Sequence, residues 1–230
     1  MNIITIARTL NEAQNIKTFC KQYGFSDLII FSDGGSTDKT VEIASKIKGV
    51  KIIPDYPERV QMGSRYYTNE PKQINYLIQE AIGHGADWII YDDLDCYPNR
   101  ILKDNARDFI EEADSKSFGL IEIYRLYIYK KTQYFPQLNE AGHSQWAWNP
   151  KRVKVVCREE NPEQPNWEQH WPSVARIYRL EHPFVLLHHF ADTDEQIKYK
   201  MDWYEEKGTP ILHPLESCGR LEVLPKYAHI

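Results

Sequence analysis

The chain has 230 residues, 42% of them hydrophobic and 27% charged, which is enough to bury a sizeable core and too ordinary for a disordered or fibrous protein. Its 28 Lys and Arg against 33 Asp and Glu leave a net charge of −5, so the molecule as a whole repels polyanions. The cysteines, Cys20, Cys96, Cys157 and Cys218, form no C-x-x-C pair, which removes zinc-ribbon and thioredoxin-like readings and suits reduced cytoplasmic thiols. Aromatic residues, at 13%, are in excess and suit a groove for ring-shaped ligands as well as a core. The first residues, MNIITIARTLNEAQ, turn polar too early for a signal peptide, and no window approaches the roughly 20 apolar residues of a membrane span.

Apolar runs alternate with helical patterns through the first hundred residues, the arrangement that predicts a mostly parallel sheet flanked by helices. Ile3 to Ala7 reads as a strand, followed by a helix with Ile16, Phe19, Cys20 and Tyr23 on one face and Thr9 with Glu12 as its capping box. A second strand, Leu28 to Phe31, enters the turn SDGGSTD; then come a helix with Val41, Ala44 and Ile47 and a strand from Val50 to Ile53. Residues 54–71 read as a long loop carrying Arg59, Arg65, Tyr66 and Tyr67. Ile74, Leu77, Ile78 and Ala81 predict a helix, and Trp88 to Tyr91 a strand. Beyond it, 118–129 is β-rich, 133–172 reads as aromatic loops with short strands, and Phe184 to His189 is a strand. A last helix opens with a capping box at Thr193 and Gln196 and turns Ile197, Met201 and Tyr204 inward. Without repeats or a linker, the expectation is one domain over 1–230, with a nucleotide-binding half at 1–97 and a β- and loop-rich acceptor half at 98–230.

Chemistry concentrates at two strand ends. Asp92, Asp93 and Asp95 follow the apolar strand at once; three carboxylates so close repel one another unless a cation sits among them, and hard oxygen donors point to magnesium or manganese bridging a diphosphate. The plainer alternative is an acidic turn capping a helix near Pro98. Asp33, at the end of the second strand before Gly34 and Gly35, is placed to accept hydrogen bonds from a nucleobase or ribose. The spacing is neither G-x-G-x-x-G nor a P-loop.

In these three segments, ARTLNEAQNI at 7–16, SDGGSTDKTVEIA at 32–44 and ADWIIYDDLD at 86–95, the chain resembles the family 2 glycosyltransferases of GT-A fold, which use nucleotide-sugar donors. A fourth segment, LLHHFADTDEQIKYKMDWY at 186–204, resembles the histidine-then-helix ending of members that modify lipopolysaccharide cores. The resemblance implies an α/β GT-A (Rossmann-like) fold and a metal-dependent transfer from a nucleotide-diphosphate sugar, UDP-linked first among them, to an acceptor hydroxyl with inversion. It places Ala7, Arg8 and Thr9 beneath the nucleotide, Asp33 at its base and Lys72 near the donor phosphates. Asp93 and Asp95 become the D-x-D pair, Asp95 the more direct ligand of Mn2+ or Mg2+; Asp92 leaves the register open by one residue. His188, with His189 as alternate, falls where a late histidine completes the metal site.

An inverting transfer needs a base for the acceptor hydroxyl. The resemblance implies Glu168, which precedes His188 by about the interval at which related enzymes carry a catalytic acid residue, with Glu159, Glu160 and Glu140 as competitors. Trp146, Trp148, Trp167 and Trp171 suggest a platform on which a sugar stacks, or core. Lys151, Arg152, Lys154 and Arg158 suit an anionic acceptor or a solvated face. A saccharide, a lipid-linked sugar and a nucleic acid all stay open as acceptors. Two rivals stand beside the transferase: a nucleotidyltransferase, disfavoured because RTLNEAQN replaces a Gly-rich basic loop, and a non-catalytic carbohydrate-binding protein.

Overall fold

The computed structural model describes the chain apart from residues 63–64, 130–132, 135–142, 159–165, 171–175, 192, 199–201, 203–221 and 224–230, with some strand residues described by backbone alone. In chain order the first half runs β1 (Ile3–Thr9), α1 (Ile16–Gln22), β2 (Leu28–Asp33), α2 (Thr40–Ala44), β3 (Val50–Ile53), β4 (Arg59–Met62), β5 (Arg65–Thr68), α3 (Glu70–Gly83) and β6 (Trp88–Tyr91). The second runs β7 (Cys96–Pro98), α4 (Arg100–Ser115), β8 (Phe118–Tyr129), β9 (Gln133–Tyr134), β10 (His143–Trp148), β11 (Lys154–Arg158), β12 (Asn166–His170), β13 (Arg176–Ala191) and β14 (Glu222–Val223).

A ten-stranded sheet organises these elements in the order β14-β9-β8-β10-β6-β1-β2-β3, with β13 laid along β8 and β7 paired to β13. The β3-β2-β1-β6 block is wholly parallel, and β10 joins it antiparallel. Strands β1 and β6 lie inside the sheet with both faces covered, so their sequences are nearly unbroken apolar runs. Alternation divides the core. Ile3 and Ala7 join α1, α2 and α4 on one face, whereas Ile4 and Ile6 meet Ile74, Leu77, Ile78 and Ala81 of α3 on the other. Outside α3, the β11–β12 hairpin adds Val155 and Cys157 to the second layer.

Three local expectations change. Thr9 and Glu12 form no capping box: β1 continues through Thr9, whose hydroxyl is drawn across to Asp33, and α1 starts after Asn15 with no side-chain cap. The 54–71 stretch carries the β4–β5 hairpin. Trp146 and Trp148 are buried, one in each core layer, on a strand whose register slips between Gln145 and Ala147. They are core rather than a sugar platform; the side chain of Trp167 and the whole of Trp171 lie outside the described residues. The capping box at Thr193 and Gln196 is present, with reciprocal hydrogen bonds of 3.2 and 3.3 Å, and Ile197 is buried behind it; Met201 and Tyr204 lie outside the described residues.

Asn99 ties the two halves of the sheet together. Fully buried, it caps α4 by accepting from the Leu102 N–H at 3.0 Å, while its amide donates to the Pro183 carbonyl at 2.8 Å. Its own N–H bonds the Val185 carbonyl where the β13–β8 register shifts. Asn99→Ala should therefore cost about 2 kcal/mol in urea denaturation, from a lost cap and an abandoned carbonyl. Asn99→Ser, which keeps a capping oxygen, should cost about half of that; equal losses would show that the cap contributes nothing.

Candidate active site

The parallel strands end on one edge, and the loops leaving β1 and β2 are laced together there. Asp33 is buried, and its four acceptor directions are filled. Thr9 Oγ1 donates to Oδ1 at 3.0 Å and Ser36 Oγ to the same oxygen, while the Gly35 and Ser36 N–H groups donate to Oδ2 at 2.8 and 2.7 Å. The carboxylate braces the turn and keeps no free lone pair for a nucleobase, which differs from the direct role the sequence suggested. Asn11, held at φ 56°, accepts from the Thr37 N–H at 2.9 Å and donates its own N–H to Ser36 Oγ at 2.8 Å. Gly34 is confined as well: a Cβ there would lie 2.9 Å from Thr68 Oγ1 and 3.3 Å from the Thr9 carbonyl oxygen.

Across β1, about 10 Å away by two strand spacings, stands the acidic turn after β6. Its three carboxylates have separate environments. Asp92 is fully buried, receives the hydroxyl of Tyr23, the residue that follows α1, and faces Arg125 Nη2 of β8 at 3.3 Å. Burial pushes its pKa up against the pull of Arg125 and Tyr23. Asp92 is thus a strut committed to the interior. The Asp93 side chain is 41% exposed and receives the Tyr91 hydroxyl at 3.1 Å. Asp95 is half-buried, with the Cys96 thiol 3.8 Å from Oδ1; burial raises that thiol well above its ordinary pKa and keeps it a donor.

Arg8 spans this edge. Its Nη1 lies 3.0 Å from Glu70 Oε2, its Nη2 lies 3.8 Å from Asp93 Oδ1, and its Nε donates to the Tyr91 hydroxyl at 3.2 Å. Burial works to lower the pKa of Arg8, but Tyr91, Glu70 and Asp93 outweigh it and keep the guanidinium charged. Tyr91, pushed well up by burial, remains a phenol able to donate to Asp93. Ala7 faces the core and the Thr9 hydroxyl is committed to Asp33, so of these three residues Arg8 alone presents a functional group to the edge.

Lys72 sits in the first turn of α3 beside Glu70, 3.3 Å from Glu58. His188 lies on β13 directly opposite Cys96, which puts its backbone about 5 Å from the residue after Asp95. Glu168 lies on β12 opposite Val156. That hairpin is docked on α3 by Asn75, which bonds both the N–H and the carbonyl of Cys157 at 2.7 and 2.9 Å. The side chains of His188, His189 and Glu168, and Glu140, Glu159 and Glu160 entirely, lie outside the described residues. Lys151 and Arg152 lie away from the carboxyl edge, paired with Asp87 and Asp114 around a cavity of about 350 Å3 also lined by Met1 and Asn149.

The water-accessible Asp93 carboxylate, with Asp95 two residues on, would suit magnesium or manganese, which takes one or two protein carboxylates and fills its shell with water and substrate phosphates. Among the described residues no group of three or more His, Cys, Asp or Glu is placed to hold a metal ion. No helix there is long and apolar enough to cross a membrane.

No protein-family model matches the chain, and no curated protein matches it in sequence. Among solved structures, TarS of S. aureus superposes with a TM-score of 0.53 at 16% identity over 86% of this chain. A TarS structure spanning residues 1–349 gives 0.55 at 16% identity over 94%. The chain spans 39% of the first and 68% of the second. These likenesses establish the fold: α/β, of GT-A type, with helices on both faces of a central sheet.

The buried strut sets two expectations. Asp92→Ala strands Arg125 without its carboxylate and should cost about 3 kcal/mol in urea denaturation, whereas the double variant Asp92→Asn, Arg125→Met should cost less than that single change. Tyr23 has a pKa raised well above the ordinary 10.0, by burial first and by Asp92 next. The folded chain therefore keeps a proton that the unfolded chain loses: the stability linked to Tyr23 is complete below about pH 10 and is lost as pH rises beyond it. Tyr23→Phe should flatten part of the alkaline fall in melting temperature; an unchanged slope would assign that fall to other groups.

Proposed function

We propose that this chain is a divalent-metal-dependent glycosyltransferase that moves a sugar from a nucleotide-diphosphate donor, a UDP-sugar first among candidates, to an acceptor hydroxyl with inversion. The observation that carries the reading is the water-accessible Asp93 carboxylate, with Asp95 two residues on, and a braced Gly-containing turn two strands away, on the carboxyl edge of a GT-A-type sheet. That edge is where open α/β sheets bind nucleotides.

Asp93 and Asp95 would hold the cation, with His188 as the third candidate. When bound there, the metal neutralises charge on the departing diphosphate. Arg8 and Lys72 supply positive charge on the same side. Asp33 acts on the nucleotide through the turn it braces. Glu168 is the proposed base: its carboxylate takes the acceptor proton as the hydroxyl oxygen bonds to the anomeric carbon, and the bond from that carbon to the diphosphate oxygen breaks. The acceptor is a saccharide or lipid-linked hydroxyl.

Manganese with UDP at saturating concentration should raise the melting temperature by about 5 °C or more. The absence of any shift with UDP, GDP and other nucleotides would overturn the donor reading. Asp95→Asn should reduce manganese-dependent release of UDP from donor by about 100-fold or more; unchanged turnover would reject it as a ligand. Glu168→Gln should retain nucleotide binding and lose transfer, and full transfer would move the base to Glu159, Glu160 or Glu140.

A further inference from the structure

Arg8 is a cation already resident at the acidic turn. Its guanidinium is shared between Glu70 at the start of α3 and Asp93 after β6, 3.0 Å from the first and 3.8 Å from the second, with Tyr91 bonded to both Arg8 and Asp93. The side chains of Arg8 and Glu70 are only 21% and 15% exposed, so water screens their interaction less than that of a surface pair. An Arg charge beside Asp93 opposes a second cation on the same carboxylate, and whatever draws Arg8 away relieves that opposition.

We propose that Arg8 competes with the divalent cation for Asp93, and that Glu70 is a positioning residue which holds Arg8 toward α3 and leaves Asp93 available to the metal. This rests on the cation reading of Asp93 and Asp95 and adds to it a residue, Glu70, that acts through another. Removing the guanidinium should tighten cation binding. Removing Glu70 should weaken it, because Arg8 then keeps Asp93 as its carboxylate partner among the described residues. Substitutions on the two sides of one salt bridge thus have opposite effects, which loss of a merely structural contact does not produce.

The probe is Mn2+ alone, followed by the paramagnetic resonance of the free ion, so the measurement needs neither donor nor turnover. Arg8→Gln should bind Mn2+ at least about fivefold more tightly than the parent chain and Glu70→Gln at least about fivefold more weakly, fivefold being the scale of one charge near 4 Å in bulk water. Since Glu70 is itself a negative charge, the deciding variant is the double one: Glu70→Gln in the Arg8→Gln background should change affinity by less than about twofold. An equal loss in both backgrounds overturns the proposal, as does a change of the same sign in the two single variants. Asp95→Asn serves as the reference. If the parent chain does not bind Mn2+, or Asp95→Asn binds it equally well, the cation reading and this inference fall together. If binding depends on Asp95 but not on Arg8 or Glu70, only this inference falls. The parent chain gives an independent check if a variant does not fold: the Arg8 Nε–H resonance should move with Mg2+ at the midpoint of binding, and an unmoved resonance overturns the proposal.

Discussion

A carboxylate taken out of water at the end of a strand has to be met by donors, and the carboxyl edge of this sheet is built on two such groups. Asp33 gathers Thr9, Gly35 and Ser36; Asp92 gathers Tyr23 and Arg125. Each demand fixes a piece of chain: the first shapes the turn after β2, and the second anchors the turn after β6 to α1 and β8. Since an unmet buried charge costs several kcal/mol, neither turn can relax without large loss. The exposed Asp93 is held in place by its buried neighbour.

Division of labour among adjacent carboxylates also resolves the repulsion implied by three acids in four positions. Asp92 directs its charge to Arg125 in the interior, Asp93 faces Arg8 and Tyr91 at the mouth, and Asp95 sits against the Cys96 thiol. The positive charge here therefore comes from Arg8 of β1 and Arg125 of β8, while the segment itself supplies the Tyr91 hydroxyl and the Cys96 thiol. The acceptor half is attached by side-chain amides: Asn75 clamps the β11–β12 hairpin to α3, and Asn99 joins α4 to β13. Through these contacts the backbone of His188 comes beside Cys96, and Glu168 is carried on a hairpin docked to the helix that begins at Glu70.

Much of this is legible in the order of the amino acids. Continuous apolar runs mark β1 and β6 because strands buried on both faces have no polar alternation to show. The α3 face is plain from the spacing of Ile74, Leu77, Ile78 and Ala81, and the Thr193 box from its two capping residues. What stays hidden is partnership over long separations. Glu70 stands 62 residues from Arg8, and Tyr23 is 69 from Asp92; nothing local in either segment points to the other. Arg125 leaves one trace, a lone cation in the apolar strand YRLYIY, since such a charge needs a partner when buried. The tryptophans mislead for the converse reason: composition records that rings are numerous but not which way a bulged strand turns them.

The sequence by itself determined the alternating α/β order, the turn at Asp33 and the acidic run after β6, because hydrophobic period and turn chemistry act over a few residues. Tertiary structure alone decided what each carboxylate does. Asp33 became a brace and Asp92 a strut while Asp93 stayed open to water, because the surroundings of an acid depend on burial and on donors brought by other elements. Those quantities exist only once β1, β2, β6, β8 and α3 have met.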